Sequence, residues 1–180
     1  IVAVVGRPNV GKSTLFNKLI GERRSIVEDT PGVTRDRIYG ETEWNGRRMV
    51  LIDTGGIEPK TNDIILAQMK VQAQIAIDTA DVIVFVCDVQ TGMVADDKEI
   101  ATMLKKCGKP VIPCINKCDK VGLPPFEFYE FYELGFKQDP IAVSSVHGSG
   151  SGDLLDAIVA ELPPEDGEEE EDDTIKVAVI

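Results

Sequence analysis

An almost continuously apolar run, Ile1–Val5, leads into Gly6-Arg7-Pro8-Asn9-Val10-Gly11-Lys12-Ser13, and a helix-forming stretch, Ser13–Ile20, follows directly. Few local patterns restrict a fold so tightly. The spacing G-x-x-x-x-G-K-[ST] lets a loop wrap its backbone N–H groups around phosphate oxygens, while the following helix adds the positive end of its dipole. Ordinary residue frequencies give a chance match in about 1 chain in 100 of this length, and the strand and helix on either side reduce that further. Such a loop belongs at the carboxyl edge of a strand in an open α/β sheet.

The rest of the chain keeps that alternation. Met49–Ile52, Val82–Cys87, Val111–Ile115 and Ile141–Val143 are short and almost wholly apolar, as strands covered on both faces are. Arg37–Trp44 alternates polar with apolar residues, and Asn45-Gly46 then supplies a hairpin turn, which marks one antiparallel edge strand. Between them lie helix candidates at Asp63–Thr79, Asp97–Cys107, Phe126–Leu134 and Asp153–Leu162. The expected architecture is a three-layer α/β fold of the P-loop NTPase kind. Its six-stranded sheet is mostly parallel, with one antiparallel edge strand.

The 180 residues suit one domain, expected at 1–162. The formal net charge of −12 argues against direct nucleic-acid binding, but the charge is uneven. Glu165-Asp166 and the run Glu168–Asp173 hold eight of the 31 acids, and 163–173 reads as a solvated acidic linker. Beyond it, Lys176–Ile180 echoes Ile1–Val5, so 174–180 is expected to begin a second, truncated copy of the domain. The opening inside an apolar run, without Met, fits a piece of a longer chain. Cys87, Cys107, Cys114 and Cys118 lack C-x-x-C spacing, and Cys87 and Cys114 read as small core hydrophobes. With no signal peptide and no 18-residue apolar run, the expected compartment is the cytoplasm and no membrane partner is expected.

Three further motifs stand at strand ends. Lys12 is expected to bridge the β- and γ-phosphates and Ser13 to bind Mg²⁺, with Thr14 completing the loop. In Asp53-Thr54-Gly55-Gly56, the carboxylate can hold Mg²⁺ through water, and Gly56 can offer its N–H to a γ-phosphate. In Asn116-Lys117-Cys118-Asp119, Asp119 can accept hydrogen bonds from N1–H and the exocyclic amine of guanine. Adenine does not offer that pair, so the carboxylate selects guanine. Asn116 can hold the loop and the base, and the Lys117 stem can lie over the base. Ser144-Ser145-Val146 brings backbone N–H groups near guanine O6.

These motifs together resemble the translation-factor-related small GTPases, and in detail the EngA/Der family of bacterial tandem GTPases. Besides the phosphate loop and Asn116–Asp119, the resemblance is carried by Asp29-Thr30-Pro31-Gly32-Val33-Thr34-Arg35-Asp36 and Asp53-Thr54-Gly55-Gly56-Ile57. It covers essentially the whole chain, although the Era and MnmE families share the Asn-bearing loop. It implies binding of GTP and GDP, Mg²⁺ as cofactor, and Thr34 as the switch residue that contacts Mg²⁺ and the γ-phosphate, with Thr30 as the alternative. It also implies a role in assembly of the large ribosomal subunit through the full-length protein. No DNA partner is expected, and the chain is expected to be a monomer. Ser145 departs from the Ala usual in that family's Ser-Ala motif.

Ile57 stands where Ras-like enzymes carry a water-orienting Gln, and it cannot hydrogen-bond. Intrinsic hydrolysis is therefore expected to be slow. The resemblance suggests K⁺ beside the phosphates with Asn9 as a ligand; the alternative is that Asn9 only braces the loop. Lys12, Thr34, Asn9 and Gly56 are the expected catalytic set. A nucleotide-binding module with negligible hydrolysis is the competing reading. The seven arginines all precede residue 49, which argues against a kinase lid, and His147 reads as a surface residue.

Overall fold

A computed structural model describes residues 1–21, 25–26, 38–56 and 65–165. The segment 22–37, which carries the expected switch residue Thr34, lies outside them apart from the backbone of residues 25 and 26. Thr34, Thr30, Ile57, most of the acidic linker and the segment 174–180 also lie outside the described residues.

The strands are β1 (Val2–Gly6), β2 (Ser25–Ile26), β3 (Ile38–Trp44), β4 (Arg47–Asp53), β5 (Val82–Asp88), β6 (Val111–Asn116) and β7 (Ile141–Ala142). They form one sheet in the order β2-β3-β4-β1-β5-β6-β7. β1, β4, β5, β6 and β7 run parallel, and β3 runs against β4. The six expected strands are all present, and the two-residue β2 extends the sheet by pairing antiparallel to β3. Asn45 (φ 50°) and Gly46 (φ 77°) turn the β3–β4 hairpin with both central residues at positive φ, the geometry that matches the twist of a two-residue loop.

The helices are α1 (Lys12–Ile20), α2 (Ile65–Thr79), α3 (Ala95–Lys105) and α4 (Ser151–Glu161). Strand residues of alternating parity face opposite layers. Ala3, Val5, Ile83 and Phe85 pack with Met69, Ala73, Ile100 and Leu104 from α2 and α3. Val2, Val4, Val82 and Val84 pack with Leu15, Phe16, Leu154 and Ile158 from α1 and α4. This is why Val2–Val5 of β1 and Val82–Cys87 of β5 are apolar throughout: each side chain meets a helix layer, whichever way it points.

Phe126–Leu134 forms a 3₁₀ helix instead of an α-helix. Its buried positions are Phe128, Phe131 and Leu134, three residues apart. A helix with 3.0 residues per turn puts all three on one line against the core, which 3.6 per turn would not do. Gly135, left-handed at φ 70°, ends it.

Phe85 is fully buried at the centre of β5 and meets the edge of Phe136 at 6.0 Å between ring centroids. Phe85→Ala is expected to lower stability by about 3–5 kcal/mol, seen as a lower urea midpoint at unchanged m-value.

Candidate functional site

The carboxyl ends of β1, β4, β5 and β6 converge on the loop between β1 and α1. Gly6 lies so close to β5 that a Cβ there would stand 2.4 Å from the carbonyl oxygen of Val86. Gly11 turns at φ 94°, and a Cβ on it would fall 2.3 Å from the Asn116 amide nitrogen. The two glycines of the motif are thus required by the approach of two different strands, besides any ligand. Asn9, at φ 66°, is a non-glycine residue in the same left-handed region, a conformation that concentrates at functional loops.

The Lys12 amine donates to the carbonyls of Gly6 (2.8 Å) and Arg7 (2.6 Å), folding the side chain back across the loop. Burial pushes this amine down to about 8; the Asp53 carboxylate opposes that, and the Arg7 guanidinium adds to it. Ser13 Oγ donates to Asp53 Oδ2 at 2.9 Å, while the Gly55 N–H donates to the other carboxylate oxygen at 2.8 Å. Asp53 is only 1% exposed. The two oxygen donors expected to serve Mg²⁺ are therefore adjacent, and hard oxygen atoms on a hydroxyl and a carboxylate suit that ion. Thr54 turns away from this cluster, its hydroxyl donating to the Val4 carbonyl at 2.6 Å. Gly56 closes the short 3₁₀ turn Thr54–Gly56 that follows Asp53.

Asn116, at the end of β6, connects three loops. Its Nδ2 donates to the Val10 carbonyl at 2.9 Å, and its Oδ1 accepts from the Ser145 N–H (3.0 Å) and hydroxyl (2.8 Å). The side chain expected to hold both loop and base is thus engaged by protein at both ends of its amide. Asp119 Oδ1 accepts from the Ser144 hydroxyl at 2.6 Å. The Ser144 N–H donates to the Ser149 carbonyl, so two of the three N–H groups expected near a base already have protein acceptors. Val146, the third residue, is exposed. Cys118 is turned inward, its N–H donating to the Val143 carbonyl, and burial pushes its thiol up to about 11. Burial raises Cys87 and Cys114 as well, consistent with cysteines that serve as packing.

Two interactions were not singled out in the sequence. Lys117, at φ 66°, donates to Asp88 Oδ2 at 2.5 Å and to the Asn9 carbonyl at 2.8 Å. Asp88 closes an apolar strand as Asp53 does, and that shared position was the available signal. Arg7 reaches away from the loop, donating from Nε to Asp97 at 2.9 Å and from a terminal nitrogen to Thr91 at 2.9 Å. Asp97 is fully buried and also accepts from the Val94 N–H at the start of α3. Burial raises its carboxyl despite Arg7, whose charge pulls the other way. A cleft of about 600 Å³ opens on this side of the loop, bordered by Arg7, Asn9, Asp88, Thr91, Asp96 and Lys117. Pro8 and Val10 also line it, while Ser13, Asp53 and Asp119 lie outside its lining. His147 is exposed, as expected.

Among the described residues no helix is long and apolar enough to cross a membrane. Asn116→Ala leaves the buried Ser145 N–H and Val10 carbonyl without their partner. Its expected cost is about 2–4 kcal/mol in the urea-unfolding free energy, more than one neutral hydrogen bond would account for.

A family model described as 50S ribosome-binding GTPase matches residues 1–117. GTPase Der of Acetivibrio thermocellus is 62% identical over 180 residues, all of this chain and 41% of that relative. The chain thus spans less than half the length of the curated relatives it matches. Among solved structures, Aquifex aeolicus Era bound to GDP and AlF₄⁻ aligns with a TM-score of 0.69 at 34% identity, covering 91% of this chain and 56% of that one. Era in complex with MgGDPNP and nucleotides 1506–1542 of 16S ribosomal RNA aligns at 0.68 and 33% identity, covering 95% and 59%. With the family model covering residues 1–117, and Gly6–Ser13, Asp53 and Asn116 brought together at the strand ends, the chain belongs to the 50S ribosome-binding GTPase family.

Proposed function

We propose that this chain is the GTP-binding and GTP-hydrolysing domain of a GTPase that acts in assembly of the large ribosomal subunit. The observation that carries the nucleotide reading is the Asn116 amide, bonded at once to the phosphate loop and to the Ser144–Val146 loop. Phosphate and base recognition are thereby held in fixed register, so one ligand can satisfy both. The ribosomal reading rests on the family and on the Der relatives.

In this reading Lys12 exchanges its two carbonyl acceptors for β- and γ-phosphate oxygens. In a desolvated site such a charge-assisted contact is stronger than in water. Ser13 and Asp53, whose Oγ and Oδ2 already lie 2.9 Å apart, would hold Mg²⁺ together with Thr34 as the switch ligand, and the ion would supply positive charge against the phosphates. Gly56 offers its N–H to the γ-phosphate. The flanking loop residues Gly6 to Thr14, with Asp53 to Ile57, surround the phosphates, and Asp119 reads guanine from a carboxylate fixed by Ser144. Asn9 is exposed and its backbone carbonyl is engaged by Lys117, so its side-chain oxygen is the atom we assign to K⁺. Ile57 gives the module with negligible hydrolysis its one supporting observation, and single-turnover hydrolysis of bound GTP separates the two readings.

Asp119→Asn is expected to weaken GTP binding roughly 10- to 100-fold through loss of a charged acceptor, and to improve binding of xanthosine triphosphate. An unchanged preference in a competition titration removes Asp119 from base reading. GTP turnover is expected to be faster in K⁺ than in Na⁺ at equal ionic strength; equal rates in a phosphate-release assay would sink the Asn9 assignment.

A further inference from the structure

Among the described residues, eight large hydrophobic side chains are exposed, and five of them fall between residues 121 and 132. They are Val121, Leu123, Phe126, Tyr129 and Tyr132, and Phe126 is 88% exposed. The last three occupy positions i, i+3 and i+6 of the 3₁₀ helix, so they stand in one column. The same period puts Glu127, Glu130 and Glu133, all exposed, in a second column. Phe128, Phe131 and Leu134, buried, form the third. One element therefore shows the core an apolar edge and shows solvent an aromatic edge beside an acidic one.

The aromatic edge is held in place before any partner arrives. Tyr129 and Tyr132 stack with ring planes 9° apart and centroids 6.4 Å apart. The buried Phe128 meets both edge-on, at 5.4 and 6.2 Å. Glu130 accepts from the Met93 N–H at 2.7 Å, tying the acidic column to the loop before α3. Rigid aromatic side chains lose little entropy on binding, and exposed aromatic surface beside fixed charge is the composition of an interface core with its rim.

We propose that this face docks a protein segment in which arginine or lysine side chains alternate with apolar ones. Arginine can lie over the tyrosine rings while pairing with the glutamates, a combination that serves both columns. Three carboxylates along the edge repel a phosphate backbone, so the face does not suit RNA. A second copy is equally mismatched, since self-association would bring two acidic columns together on chains that each carry a net charge of −12.

The test uses this chain and a fluorescent synthetic peptide alternating arginine and leucine, with fluorescence anisotropy at 150 mM salt. The expected result is binding that falls at least about tenfold in the double variant Phe126→Ser with Tyr129→Ser, a loss of at least about 1.4 kcal/mol. Glu127→Gln with Glu133→Gln should weaken it similarly. Asp172→Asn with Asp173→Asn, which removes the same charge from the acidic run, should leave it unchanged. An unaltered circular dichroism melt for each variant confirms that folding is not what changed. Equal loss on neutralising Asp172 and Asp173, no loss on removing the aromatic residues, or competition by a uridine oligonucleotide at similar concentration would each overturn the proposal. So would a dimer, seen by sedimentation, that the aromatic substitutions dissociate.

Discussion

Much of this domain's working end depends on one buried carboxamide. Asn116 sits at the end of β6, almost fully buried, and its two polar ends face different loops. A side chain with one donor end and one acceptor end can join a carbonyl to an N–H, which neither a carboxylate nor an amine can do. It therefore ties the loop after β1 to the loop after β7, across two intervening strands of the sheet. The close fit of Gly11 against the same amide shows the constraint from the other side: the turn can pass only because that residue has no side chain.

Around that brace the charged residues serve mainly to fix loops. Lys117 is tied to Asp88 and to the Asn9 carbonyl, and Arg7 to Asp97 and Thr91. Both pairs reach from the phosphate loop or its neighbour to the end of β5 and the start of α3. A buried ion pair adds little net stability once desolvation is counted, but losing one partner is costly, so such pairs hold a geometry more than they strengthen a fold. The left-handed Asn9 and Lys117 are held within this network, which accounts for strained backbone persisting at two non-glycine positions.

The 3₁₀ helix shows how helix period alone can divide one segment among several tasks. With three residues per turn, the repeat in Phe126–Leu134 separates into a core-facing column, an aromatic column and an acidic column. In an α-helix the same residues would drift around the axis and mix the three. The apolar residues in this segment are therefore not all core, although their density suggests it.

The order and type of the main elements, the hairpin and the four motifs could be read from the sequence. Each depends on local periodicity or on residue chemistry at a strand end, and both are written in consecutive residues. The division of β1 and β5 between two helix layers was implicit in the same apolar runs, but which helix covers which face was not. Tertiary structure alone decided the partners of Asn116, Lys117 and Arg7, which lie 29 to 108 residues away. It also decided the helix type of Phe126–Leu134, where three core contacts fall at three-residue intervals. Spacing along the chain announces that a phosphate loop exists; only strands brought side by side determine what holds that loop in shape.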